Sequence, residues 1–143
     1  MRGVMGELRP QALDDYGLLA ALRSHAAAFA LRTGIHAEVT GSDQRGRLPK
    51  AVELALYRIA QEALNNVAKH AKATAVTISF DGVHGGARLA LGDDGVGFEP
   101  ERVATATGWG LAIMRERAEA IGAAFDLEAA PGRGVRIVVR CVD

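Results

Sequence analysis

Between positions 52 and 67 the chain places Val52, Ala55, Leu56, Ile59, Ala60, Ala63, Leu64 and Val67 at the i, i+3, i+4, i+7 spacing of one helix face. A stripe of that length has to be covered, so the segment predicts an amphipathic helix and obliges the rest of the chain to supply a core for it. Asn66 falls inside the stripe, and Glu62, one turn earlier, lies at its edge. A buried polar group left without a partner costs about 1–3 kcal/mol, so both side chains need one. At i and i+4 they point the same way. An amide oxygen beside a carboxylate is a pair of hard ligands suited to Mg²⁺ or to a water that it holds. An asparagine bonded to nearby backbone and a solvated glutamate would satisfy the same pattern, so the helix alone does not decide.

What can surround that helix is bounded by size. With 143 residues, 49% of them hydrophobic, there is material for one domain with its own core and no room for a second. Seventeen basic and seventeen acidic residues cancel, and no basic block marks a nucleic-acid surface. The single cysteine, Cys141, excludes an internal disulfide and a thiolate metal cluster, which fits a reducing compartment. No apolar run reaches the ~18 residues of a membrane span and no signal-peptide core opens the chain. A cytoplasmic domain without direct membrane contact is expected, with a membrane-anchored parent protein left open.

Residues 1–10 read as a linker from an upstream segment, bounded by Pro10. Residues 13–32 predict a single helix with Leu18, Leu22, Ala26, Phe29 and Ala30 on one side, closed by Gly34. His25 lies in it as a surface or half-buried histidine. Residues 36–40 predict a strand and 41–49 a polar loop, with Pro49 at the start of the central helix. The apolar period then changes from 3.6 to 2. Val76, Ile78 and Phe80 alternate with polar residues, residues 82–86 turn the chain, and Ala87, Leu89 and Leu91 continue the alternation: a hairpin. The same parity puts Asp93 on the inner face at a strand end, where a carboxylate is either misplaced or binds something. Asp94-Gly95-Val96-Gly97 follows, either a plain turn or a backbone shaped for close approach.

Residues 98–108 are polar, small and without period, as expected of a mobile loop. Gly108-Trp109-Gly110-Leu111 ends it and opens a helix with Leu111, Met114, Ala118 and Ile121 on one face, stopping at Gly122. Free N–H groups at such a helix start favour an anion. Neither common nucleotide loop is present, since there is no GxxxxGK[ST] and no third glycine of a dinucleotide fingerprint. Two strands close the chain, one with Phe125, Leu127 and Ala129, the other with Val135, Ile137, Val139 and Cys141, joined by Pro131-Gly132-Arg133-Gly134. An α+β fold follows: a two-layer α/β sandwich with a mixed sheet and the helices on one face.

Taken together, these segments resemble the Bergerat-fold ATPases, which include gyrase, the large heat-shock chaperone, mismatch-repair ATPases and sensor histidine kinases. Glu62-Ala-Leu-Asn-Asn66-Val-Ala-Lys69-His70-Ala is similar to their N box, Asp93-Asp-Gly95-Val-Gly97 to the first glycine box and Gly108-Trp-Gly110-Leu111 to the second. Leu8-Arg-Pro10, Leu13-Asp-Asp-Tyr-Gly-Leu18 and Leu48-Pro49 resemble the nitrate- and desaturase-sensor type of histidine kinase. The resemblance implies ATP and Mg²⁺ as cofactors. It makes Asn66 the residue that holds Mg²⁺, Asp93 the partner of the adenine amino group, and Gly95, Gly97, Gly108 and Gly110 the shapers of pocket and lid, with Leu111 completing the second box. Glu62 is then the residue that orients or activates the attacking nucleophile, and Lys69, beside the N-box His70, approaches the phosphates. One position departs from the pattern: Val135 stands where a threonine or serine usually follows the third glycine box.

The same resemblance places the phosphoacceptor histidine on an upstream helical dimerisation domain, for which residues 1–10 are the junction, and a response regulator further along. Residues 11–143 are then the catalytic, ATP-binding domain alone. An anti-sigma-type serine kinase has the same fold, and a nucleotide-binding module without catalysis is the third reading, to which Val135 lends some weight.

Overall fold

The computed structural model describes residues 11–43, 47–83, 86–97 and 110–142. Gly17 divides what the apolar spacing joins. With φ 91° and ψ 179° it takes a conformation that side chains disfavour, so the single helix expected over 13–32 is two, α1 (Gln11–Tyr16) and α2 (Leu18–Thr33). The spacing runs through the break because both helices face one core, in which Leu13, Leu18, Leu22, Ala26 and Phe29 are buried. Gly34 closes α2 as expected, its N–H on the Ala30 carbonyl at 2.8 Å.

Strand β1 (His36–Asp43) runs three residues into the segment expected to be loop. Its extra residues pair Gly41 with Phe80, Ser42 with Asp81 and Asp43 with Gly82. Main-chain pairing asks for no apolar side chain, which is why composition hid it. Helix α3 (Lys50–Asn66) begins after Pro49 and buries Leu56, Ile59, Ala60, Ala63 and Leu64, as the stripe requires. Its end differs from the expected regular helix: Val67–Ala71 form a π-helical turn, and Lys72 (φ 51°) stops it. Such widened turns occur mostly as short insertions at functional sites.

Strands β2 (Ala75–Val83) and β3 (Gly86–Asp93) form the expected hairpin, with Val76 opposite Asp93, Ile78 opposite Leu91 and Phe80 opposite Leu89. Helix α4 (Leu111–Ala120) buries Met114 and Ala118, and the β4 (Ala124–Ala129) and β5 (Val135–Val142) hairpin ends the fold. The sheet order is β1-β2-β3-β5-β4, with β1 and β2 parallel and every other pair antiparallel. A parallel pair needs a crossover, and α3 is that crossover. The inner sheet face carries Val76, Ile78, Phe80, Leu89, Leu91, Ile137 and Val139 into one core with the helices, while Thr77, Arg136 and Arg140 are exposed on the other. The sandwich is therefore α+β, with two layers and a mixed sheet.

One charge lies inside the helical layer. Glu53 is 2% exposed and takes a bidentate pair from Arg47, Nε to Oε2 at 2.9 Å and Nη2 to Oε1 at 2.8 Å. The same guanidinium donates to the carbonyls of Leu13 and Asp14, so it ties α1 to α3. Among the described residues no helix is long and apolar enough to cross a membrane.

Candidate functional site

Five elements end at one edge of the sandwich. The last turns of α3, the start of β2, the end of β3, the start of α4 and the start of β5 enclose a cleft walled by Ala63, Val67, Val76, Leu91, Leu111, Val135 and Ile137. Among the described residues its polar side chains are those of Asn66 and Asp93. The stripe of α3 brings Asn66 there at 5% exposure. The alternation of β3 brings Asp93, half-buried at the end of the strand.

The carboxyl of Asp93 accepts the N–H of Gly95 at 2.8 Å and the backbone N–H of Val135. Burial raises its pKa, with Asp94 as a neighbouring negative charge, against the opposing pull of those two N–H groups. Val135 thus serves the site through its backbone: its side chain walls the cleft while its N–H holds Asp93.

The glycine boxes are explained in part by two loops packed on each other. A Cβ on Gly134 (φ +72°) would overlap the main-chain oxygen of Asp93, and one on Gly97 (φ +66°) that of Ala130. The N–H of Gly132 reaches the Val96 carbonyl at 2.5 Å, which seals the contact. Gly97 and Gly134 therefore let backbone meet backbone, while Gly95 enters through its N–H on Asp93.

Glu62 opens elsewhere. It borders an adjoining polar groove that also receives Arg32 of α2, Arg58 of α3 and Arg117 of α4. Its Oε2 lies 2.8 Å from where a Cβ on Gly110 (φ +62°) would stand. Asn66 and Glu62 thus face neighbouring recesses rather than one. Lys69 is exposed and His70 half-exposed on the π-helical turn; neither walls the cleft. Leu111 does. Gly108, Trp109 and the expected mobile loop over 98–108 lie outside the described residues. His25 is half-buried with its ring 5.7 Å from that of Tyr57, edge to face, and burial followed by the charge of Arg32 lowers its pKa.

One residue beside the site, Asp94, was not singled out from the sequence. Asp94 bonds Thr74 and Ala75 at the start of β2 through its carboxylate, and the doubled aspartate at 93–94 was its only trace. Chemically, the cleft offers apolar walls with a carboxylate acceptor among them, which suits an apolar group carrying a donor. Among the described residues no group of three histidine, cysteine or acidic side chains could hold a metal ion by itself.

The chain is similar to known proteins. Residues 51–142 match the family model described as histidine kinase-, DNA gyrase B-, and HSP90-like ATPase. The chain is 40% identical over 119 residues to the sensor histidine kinase MctS of Rhizobium johnstonii, covering 82% of this chain and 26% of that protein. It is 34% identical over 139 residues to the oxygen sensor histidine kinase NreB of Staphylococcus carnosus, covering 97% of this chain and 40% of that one. The signal transduction histidine-protein kinase/phosphatase DegS of Brevibacillus brevis matches at 32%, with 97% and 36% covered. The chain thus spans well under half the length of these relatives. Among solved structures, the blue-light activated histidine kinase EL346 of Erythrobacter litoralis superposes with a TM-score of 0.74 at 21% identity, over 87% of this chain and 41% of that one. The mycobacterial sensor histidine kinase MprB does so at 0.62 and 22%, over 85% and 91%. At such identities the likeness shows the fold.

Proposed function

Because the chain belongs to the histidine kinase-, DNA gyrase B- and HSP90-like ATPase family, we propose that it binds Mg·ATP and presents the γ-phosphate to a histidine on an upstream helical dimerisation domain, in cytoplasmic two-component signalling to a response regulator. The observation that carries this reading is the pairing of Asp93 and Asn66, an ordered carboxylate and a buried amide, at one apolar cleft. On this reading the aliphatic walls part to admit adenine, and Asp93 accepts its amino N–H. Asn66, a hard oxygen ligand, serves the metal together with the phosphate oxygens, since magnesium is commonly held by few protein ligands and the substrate's own phosphates. The N-terminus of α4 has no acidic residue in its first turn and no side-chain cap among the described residues, which leaves its N–H groups to the phosphates. By the same reading Glu62, beside Gly110, orients the nucleophile, and Lys69 on the π-helical turn approaches the phosphates.

Phosphoryl transfer depends mainly on positioning and charge neutralisation, so the domain supplies ordered nucleotide and the partner supplies the acceptor. At the departure from the pattern, Val135 keeps one link to the site, its N–H on Asp93. The test is phosphotransfer from γ-labelled ATP, with the longer chain that carries the upstream segment. Acid-labile, base-stable label on histidine is the expected result. Acid-stable label on a serine of an added partner would favour an anti-sigma-type kinase, and bound ATP with no transfer would favour a binding module.

A further inference from the structure

Beyond Asp93 the ladder between β2 and β3 is weak. Val76 opposite Asp93 is the last register pair, and the next main-chain bond, from the Asp94 N–H to the Ala75 carbonyl, is 3.3 Å long, past the usual range. The Asp94 side chain supplies what the backbone does not. Its Oδ1 accepts the N–H groups of Thr74 at 2.8 Å and Ala75 at 3.0 Å, and its Oδ2 accepts the Thr74 hydroxyl at 2.6 Å. These bonds are short and charge-assisted. They hold the carboxyl of Asp94 ionised, lowering its pKa through the Thr74 hydroxyl first and then the two N–H groups.

Asp94 is exposed and lies outside the cleft wall, so it touches nothing that the cleft would hold. Its bonds nevertheless fix the peptide between residues 93 and 94, on which both the direction of the Asp93 side chain and the position of the Gly95 N–H depend. The Gly95 N–H is one of the two donors that aim the Asp93 carboxyl. The other end of the clasp, Thr74 and Ala75, comes two residues after the turn that carries Lys69 and His70. We propose that Asp94 is a positioning residue for base selection: clasped to Thr74 and Ala75, it holds Asp93 at the angle that distinguishes a purine amino group from a purine carbonyl.

This rests on the reading of Asp93 as the adenine acceptor, and the test separates the two. The probes are ATP and ITP, which differ at the purine 6-position by an amino group against an oxygen, titrated into the chain and its variants. The parent should prefer ATP by about tenfold or more. No preference in the parent would overturn the reading of Asp93, and the positioning role with it. If the parent discriminates, Asp94→Ala should lose most of the ratio by weakening ATP while ITP changes little. Asp94→Asn, whose amide can accept the two N–H groups and donate to the Thr74 hydroxyl, should restore the ratio to within about twofold. A merely structural residue would weaken both nucleotides alike. An Asp94→Ala chain that stays folded and keeps the parent's ratio overturns the proposal. Should that variant fail to fold, Thr74→Val decides, because it removes one bond and leaves the two backbone donors. A partial loss of the ratio supports the clasp, and an unchanged ratio overturns it.

Discussion

Asp93 stands where burial opposes its charge, and the consequences reach stability as well as binding. A carboxyl whose pKa rises on folding favours the native state below its unfolded value, and that contribution is lost as pH rises through the raised native value. At neutral pH the ionised side chain is therefore a burden on the empty domain. Asp93→Asn should raise the melting temperature of the empty domain near pH 7, with the gain shrinking as the solution is acidified toward the ordinary aspartate range. The same change should weaken ATP binding by about 1–3 kcal/mol, the worth of a charge-assisted hydrogen bond. Thermal melts across pH and calorimetry on one pair of proteins check both; a variant less stable at pH 7 would contradict the account. Two neighbouring glycines separate conformation from contact. Gly132 and Gly134 both have positive φ, but a Cβ on Gly132 meets open space and one on Gly134 meets the Asp93 main chain. Gly132→Ala should cost about 1 kcal/mol, and Gly134→Ala about 2–5 kcal/mol because backbone has to move as well. Denaturant unfolding measures the difference. Of these residues, the parity of β3 made Asp93 legible, whereas Asp94 and the Val135 N–H were not, since a turn can use its aspartate in many ways and a backbone donor leaves no mark in a sequence.

Among the elements, α3 was the most legible. Its stripe gave the buried face and the place of Asn66, and the burial of Leu56, Ile59, Ala60, Ala63 and Leu64 follows it. Its π-helical end was not visible, because hydrophobic spacing is read at a fixed angle and Val67 is the last apolar position that fits. Glu53 did leave a signal that went unused: it sits on the stripe, one turn before Leu56 and Tyr57. Its partner Arg47 comes from outside the helix, at the end of a segment without period. The pair makes an asymmetric prediction. Arg47→Ala strands a carboxylate that is 2% exposed and should cost about 3 kcal/mol. Glu53→Leu leaves an arginine that is 45% exposed and still bonded to the Leu13 and Asp14 carbonyls, so it should cost less than about half of that. Chemical denaturation of the two variants decides, and equal losses would mean that the ion pair contributes by packing alone. The α1–α2 break was hidden for a related reason: two helices that cover one core continue one pattern, and only Gly17 separates them.

At the scale of the molecule, the two-layer α+β design followed from one amphipathic helix, two hairpins and their periods. The strand order β1-β2-β3-β5-β4 did not, since pairing between distant strands such as β3 and β5 is chosen by the assembled core. That order is what gathers the ends of five elements into the cleft, so residues 27 positions apart, Asn66 and Asp93, share it. The central claim is that this cleft holds Mg·ATP with Asp93 at the base and Asn66 at the metal. The most direct measurement is a calorimetric titration of ATP into the parent chain and into Asn66→Ala, each with and without Mg²⁺. Magnesium should tighten binding to the parent, while Asn66→Ala should lose that increment and keep most of the metal-free affinity. Equal weakening in both conditions would make Asn66 a structural residue, and absence of binding to the folded parent would contradict the account as a whole.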